Sequence, residues 1–538
     1  MPNAIWRPAC SEVVSPRLLA LGLVLAAAIP VPAAGADKVV LSIDASKAGA
    51  KIDRNLFGQF AEHLGHGIYE GVWVGPGSPI PNTRGIRNDV VAALKALKVP
   101  NVRWPGGCFA DEYHWRNGIG RRAVTLNPTW GGVVEPNTFG THEFMDFIEQ
   151  IGSRAYLSIN VGSGTPREAA EWLEYLTAAQ PTTLAAERAA NGHPAPYAVE
   201  YLGIGNESWD CGGNMTPERY LGELKAYARF VRNFNPAQPE GPNRMLKIAV
   251  GPGGDGPRWT EWTETIMKAW QGRSWSWDFD GLSLHNYTVV KWPPAYTSTG
   301  FGQAEYAQIL RSTLEMDRLV ATHSAIMDRY DPQKKIALVV DEWGAWYAPL
   351  PGSNPGFLVQ QNSLRDAVLA ALNLNIFARH AERVRMANIA QMVNVLQAMI
   401  LTDKEKMVLT PTYHVFRMYV PFQDATMVPV AFDAGTYARG DVTLPRLDAI
   451  AARDTAGRLW LAVTNVDPNR PLAIEAALTG LTPRSAAGET LTAPAVDSVN
   501  TFQSPDTVVR KPIQAKVDGG KVTLTLAPKS VTVLAIER

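Results

Sequence analysis

Two glutamates stand in settings suited to bond cleavage. Glu207 closes the apolar run EYLGIGNE (200–207), and Glu342 lies near the end of KIALVVDEW (335–343). Hydrolysis of a glycosidic bond needs such a pair: one carboxyl protonates the leaving oxygen and the other meets the oxocarbenium-like carbon. Asn206, directly before Glu207, offers an amide to the sugar hydroxyl beside the reacting carbon, a contact that strengthens in the transition state. Asp341 and Glu342 are adjacent, and on a regular strand they point to opposite sides. Glu342, nearer the strand end, is expected to face the pocket, and Asp341 to buttress a neighbouring strand or helix end. Arg103 is the expected partner of Glu342, because a guanidinium keeps a carboxylate ionised; the alternative is a purely structural ion pair. Glu207 must hold a proton at rest, so it is expected farther from cations. The resulting assignment is Glu207 as acid/base and Glu342 as nucleophile.

Other chemistries find less support. His63 and His66 are three apart, but HExxH and Cys/His clusters are missing, so no metal is expected. With two carboxyls already sufficient, His285 reads as an orienting residue and not a base. The sequence has neither a GxSxG elbow nor a phosphate-binding loop, which removes serine-hydrolase and nucleotide-hydrolase readings.

The elements that must position these residues alternate. Eight short apolar runs lie at 57–64, 101–107, 155–162, 200–207, 246–253, 280–287, 335–343 and 388–395. Amphipathic helical stretches separate them, among them 86–98, 217–234 and 363–384. Eight strand–helix repeats predict a TIM barrel over 55–404. An open doubly wound sheet would carry a Gly-rich turn after its first strand, and none is present. Polar residues gather at the C-terminal ends of the runs: Glu62, Arg103, Asn160, Asn206, Glu207, His285, Tyr287, Glu342 and Gln391. That is the active-site face of such a barrel. From residue 405 to 538 the sequence changes to short period-two runs parted by Gly, Pro, Asp and Asn, which predicts a β-sandwich. The strand at 39–44, within residues 37–54, is expected to join that sandwich.

Residues 1–36 read as a signal segment: Arg7 and Arg17, an apolar run from Leu18 to Val31, then Ala34-Gly35-Ala36. The expectation is an exported protein, periplasmic or secreted. The whole chain of 538 residues has 51 basic and 51 acidic residues; the leading segment holds two of the former and one of the latter. The near-zero balance offers no case for nucleic acid or an anionic membrane. Sixteen Trp serve either as core filler or as platforms for sugar faces.

The ordered stretches GQFAEHLGHGIYEGVW (58–73), NVRWPGGCFADEYHWRNGIG (101–120), GIGNESWDCGGNM (203–215), SLHNY (283–287), VDEWGAWY (340–347) and RMANIAQMVNVLQAMI (385–400) resemble glycoside hydrolase family 51, the α-L-arabinofuranosidases. The resemblance implies a (β/α)8 barrel with a jelly-roll-like C-terminal β-sandwich, and a retaining double displacement through Glu207 and Glu342. It implies release of terminal non-reducing α-L-arabinofuranosyl units from arabinose-containing poly- or oligosaccharides. Sugar contacts are implied for Glu62, Asn160, Asn206, Tyr287 and Gln391, with no cofactor and with assembly into homo-oligomers, often hexamers. Arg103 and Cys108 complete the set of candidate binding residues. Many members have Asn where this chain has Cys108, so the sugar contact at that position is open. Cys211 lies four residues past Glu207. Cys108 and Cys211 either form a disulfide that braces the acid/base loop or remain two thiols. A β-1,4-glucanase or β-xylosidase on the same scaffold, or a non-catalytic glycan binder, are the competing readings. Trp292, Tyr296, Trp346 and Tyr347 on the loops over the site would close a pocket or line a cleft.

Overall fold

The computed structural model describes residues 38–238 and 244–538. The segment read as a signal, 1–36, lies outside the described residues. Among the described residues, no helix is long and apolar enough to cross a membrane.

Eight parallel strands close into a barrel. In chain order they are Gly58–Phe60, Asn101–Trp104, Arg154–Ile159, Tyr201–Ile204, Leu246–Ala249, Gly281–Thr288, Ala337–Ala345 and Val384–Ile389. They are the first to eighth barrel strands below. The second, fourth and seventh are buried along their whole length, as strands covered on both faces must be. Each of the eight predicted runs contains or overlaps its strand. The eighth is displaced: the strand occupies 384–389, not 388–395, and the preceding helix ends at Arg379, not at 384.

Three of the helices start on the same local signal. Thr165, Thr216 and Thr410 each precede a proline, and each hydroxyl accepts from the backbone N–H three residues on. The threonine satisfies one of the free amides of the first turn, and proline there has no amide to lose.

The C-terminal region folds into a sandwich. Its core holds Leu459, Leu461, Leu472, Ile474, Leu526 and Leu534, together with Leu41 and Ile43 of the opening strand. That strand, Lys38–Asp44, pairs in parallel with Leu472–Thr479 and antiparallel with Val430–Ala431. The outer face of the strand Leu459–Asn465 is buried too, because the helix Leu364–Arg379 covers it. That helix is buried from Leu364 to Ala378, being wedged between barrel and sandwich. The boundary expected after residue 404 falls inside a hairpin, Ile400–Asp403 with Lys406–Leu409. The following helix, Pro411–Tyr419, packs on the barrel helices Asn88–Leu97 and Leu364–Arg379. The first strand of this region to join the sandwich sheet is Thr426–Val428.

Candidate active site

The seventh strand carries two carboxylates inward. Its pairing with the eighth strand shifts register between Val340 and Trp343. A bulge of this kind puts consecutive side chains on one side. Asp341 follows Ala337 and Val339 on the inner side, and the bulge lets Glu342 share it; Asp341 thus braces neighbouring strands, as expected, but from inside the barrel and not from the side opposite Glu342. It lies under the site, where it accepts from the Tyr156 hydroxyl at 2.6 Å and stands 3.2 Å from His285 Nε2. Glu342 points to the mouth. Its Oε1 accepts from Arg103 Nη1 at 2.8 Å, and its Oε2 from the Tyr287 hydroxyl at 2.9 Å. Trp343 goes the other way and packs on Phe377 and Phe416.

Arg103 is 1% exposed, stacked over Phe60 at 4.6 Å. It also donates to Asn206 Oδ1 at 2.6 Å. It is the partner of Glu342, as expected, and its two terminal nitrogens are turned to Glu342 and Asn206, which makes it a support of those two side chains.

Glu207 stands three residues past the fourth strand, in a turn where its φ is +37°. Its Oε1 lies 2.8 Å from His285 Nδ1. The expectation that Glu207 avoids cations is corrected here. Burial opposes the charge of His285, but Glu342 and Asp341 outweigh it and push the imidazole up to about 10. Burial, with the charge of Glu342 adding to it, holds the Glu207 carboxyl above the usual range against the pull of His285. Asp341 is held low: burial is outweighed by Arg103 and His285. With Glu207 protonated, two carboxylates balance two cations. Oxygens of Glu207 and Glu342 and a nitrogen of His285 all lie within 4.8 Å of one another. His285 faces carboxylates with both ring nitrogens, Nδ1 toward Glu207 and Nε2 toward Asp341.

Glu62 and Gln391 form the opposite wall. Gln391 donates to Glu62 Oε2 at 3.0 Å and accepts from the Glu62 backbone at 3.0 Å. Burial and the nearby Glu342 raise the Glu62 carboxyl to about 7. Its Oε1 accepts from Phe109 N–H at 3.0 Å and from Trp130 Nε1 at 2.8 Å. Trp130 had no signal of its own in the sequence beyond its ring and the two glycines that follow. His63 is fully committed: Trp104 Nε1 donates to its Nε2 at 3.1 Å, and its Nδ1 meets Glu135 at 3.0 Å.

Two expected contacts are corrected. Asn160 reaches the rim, but its Oδ1 accepts from Ser163 and Gly164, and its Nδ2 donates to Tyr113 O and Ser163 Oγ. Two acceptor sites and two donors are all an amide has, so none is left for a sugar. Cys108 is bonded to Cys211, with Cα atoms 5.5 Å apart. It offers a disulfide sulfur beside Glu207 and no thiol.

Two family profiles match the chain: the α-L-arabinofuranosidase 1 domain at residues 93–251 and the α-L-arabinofuranosidase C-terminal domain at 341–530. The intracellular exo-α-L-arabinofuranosidase of Bacteroides ovatus is 42% identical over 97% of this chain and 99% of its own length. A crystal structure of the GH51 arabinofuranosidase from Xanthomonas axonopodis pv. citri superimposes with a TM-score of 0.89 at 52% identity, covering 93% of this chain and all of that one. The chain belongs to glycoside hydrolase family 51. An arabinose complex of a Thermotoga maritima α-L-arabinofuranosidase matches at TM-score 0.78 and 30% identity, covering 93% of this chain and 100% of the other. The family 51 barrel with its β-rich C-terminal domain is the fold seen here. Export does not stand as an expectation: the Bacteroides ovatus relative, matched nearly end to end, is an intracellular enzyme.

Proposed function

We propose that this family 51 glycoside hydrolase is a retaining, exo-acting enzyme that releases terminal non-reducing α-L-arabinofuranosyl units from arabinose-containing plant poly- or oligosaccharides. The observation that carries the reading is the placing of Glu207 and Glu342 with carboxylate oxygens within 4.8 Å. Retaining hydrolases hold their carboxyls about 5–5.5 Å apart, whereas inverting ones leave about 6.5–9.5 Å for a water.

Glu342, held by Arg103 and Tyr287, attacks the anomeric carbon as Glu207 gives its proton to the leaving oxygen. Glu207 is then ionised beside the cationic His285 and takes a proton from the water that cleaves the arabinofuranosyl-enzyme. Glu62, Gln391, Asn206 and Tyr287, which surround the two carboxylates and their Arg103 support, are the sugar contacts this reading assigns. A blind pocket is favoured by its rim. Gly131, at the tip of the hairpin that carries Trp130, lies so close to Phe357 of the facing loop that a Cβ there would stand 2.7 Å from the ring.

The test compares para-nitrophenyl α-L-arabinofuranoside with the β-D-xyloside and β-D-glucoside, and follows the first-formed sugar by proton NMR. Selective release of arabinose, first seen as the α-anomer, with turnover abolished in E342A, is the expected result. The β-anomer first, or selective release from the xyloside or glucoside, overturns the reading.

A further inference from the structure

Asp111 is a buried carboxylate with no ion-pair partner among the described residues. Its three acceptances are all from backbone. Oδ1 accepts from Val161 and Gly162, each at 2.8 Å, and Oδ2 from Asn206 at 3.1 Å. Those amides open the loops after the third and fourth barrel strands. Burial raises the carboxyl to about 7 against the pull of these donors. The fold keeps it there by spending glycines around it. A Cβ at Gly212 would fall 2.7 Å from Asp111 Oδ2 and 1.8 Å from Asn206 O, and one at Gly162 would fall 2.9 Å from Asp111 Cβ.

Asp111 ends the short turn Cys108–Asp111, and the other end of that turn is bonded to Cys211. The turn therefore grips the Glu207 loop on both sides. Asp111 holds Asn206, one residue before Glu207, and Cys108 holds Cys211, four residues after it. Between these points Glu207 adopts a left-handed φ that a side chain does not favour, and Gly212 N–H closes the turn onto Glu207 O at 3.1 Å. A loop in that conformation needs its surroundings to fix it.

We propose that the turn Cys108–Asp111 is a positioning element for the acid/base step, with Asp111 as its hydrogen-bonding grip and the disulfide as its covalent one. The proposal rests on the reading of Glu207 as acid/base given above. D111N keeps the size and turns an amide donor toward one of the three N–H groups. Acid assistance matters most where the leaving group is poor. D111N is therefore expected to lower kcat/KM for phenyl α-L-arabinofuranoside at least about tenfold more than for the 2,4-dinitrophenyl substrate. Azide needs no base to attack the arabinofuranosyl-enzyme. It is expected to raise kcat of D111N on the dinitrophenyl substrate and to yield arabinofuranosyl azide. C108S/C211S is expected to show the same pattern, and it decides the matter by itself if D111N is recovered unfolded. Losses uniform across leaving groups and unmoved by azide overturn the proposal. E207A is the control: if it lacks the leaving-group and azide pattern, the reading of Glu207 fails; if it shows the pattern and the turn variants do not, only this proposal fails.

Discussion

His285 sits 2.8 Å from Glu207 and so fixes the sign of the pH response. Glu207 works as an acid only while protonated, so activity falls on the alkaline side as it ionises. Burial raises its carboxyl and His285 pulls it down. Replacing the imidazole by a neutral amide, H285N, removes the downward pull. The alkaline limb of kcat/KM is then expected to move to higher pH, while the plateau drops about tenfold or more because a charge-assisted hydrogen bond is lost. A limb that stays or moves down in a pH–rate profile would show that His285 does not control that proton. At this scale much was legible. A carboxylate at a strand end has few reasons to be there unless the end opens into a site. What failed was orientation. Asp341 and Glu342 share the inner side because of a bulge, and bulges depend on the partner strand. Asn160 was legible in another way: Ser163 and Gly164 follow it at the spacing by which an Asn side chain caps its own loop.

Elements bring in residues that no strand-end pattern reveals. Trp130 comes from the connection between Thr125–Asn127 and Val133–Glu135, a hairpin inserted after the second barrel strand. Glu135, on the hairpin's second strand, meets His63, and His63 follows Glu62 directly. The hairpin is therefore tied to the sugar-facing wall twice, through His63 and through the 2.8 Å donation from Trp130 to Glu62. W130F keeps an aromatic wall and deletes that donor to a buried carboxyl. The expected effect is a loss of about 3- to 15-fold in kcat/KM on para-nitrophenyl α-L-arabinofuranoside, the worth of one hydrogen bond. Unchanged kinetics would mean that Glu62 is held well enough by Phe109 and Gln391. The displaced eighth strand has a related cause. Its sequence VRMANIAQMVNV is apolar well past the point where pairing stops at Ile389, because the following loop is itself buried in the mouth of the barrel. Periodicity reports burial, and here burial outlasts the strand.

The described residues of barrel and sandwich form one packed body, even though their sequence splits into two textures. One hydrophobic cluster joins Trp104 and Phe144 of the barrel to Ile450, Ala462, Val531 and Val533 of the sandwich. The Tyr306 hydroxyl donates across to Val466 O at 2.9 Å, and Asn375 and Arg379 both reach Asp448, at 2.9 and 2.8 Å. The chain also enters through the sandwich, since its first described strand pairs there before the barrel begins. Removing the sandwich would expose the covered face of the helix Leu364–Arg379. Each Leu, Val or Ile side chain laid open costs about 1.5–3 kcal/mol, against a total stability of about 5–15 kcal/mol for an ordinary domain. A few such residues exhaust it. The expected outcome is a single calorimetric transition, coincident with the loss of activity and of tryptophan fluorescence, and no soluble active protein from a chain limited to residues 54–425. Two separated transitions, or an active barrel fragment, would show that the sandwich is an accessory. The coupling reaches the site through that same helix, whose Phe377 packs on Trp343, the residue beside Glu342. A family 51 barrel stripped of its sandwich should therefore lose the setting of its proposed nucleophile before it loses its strands.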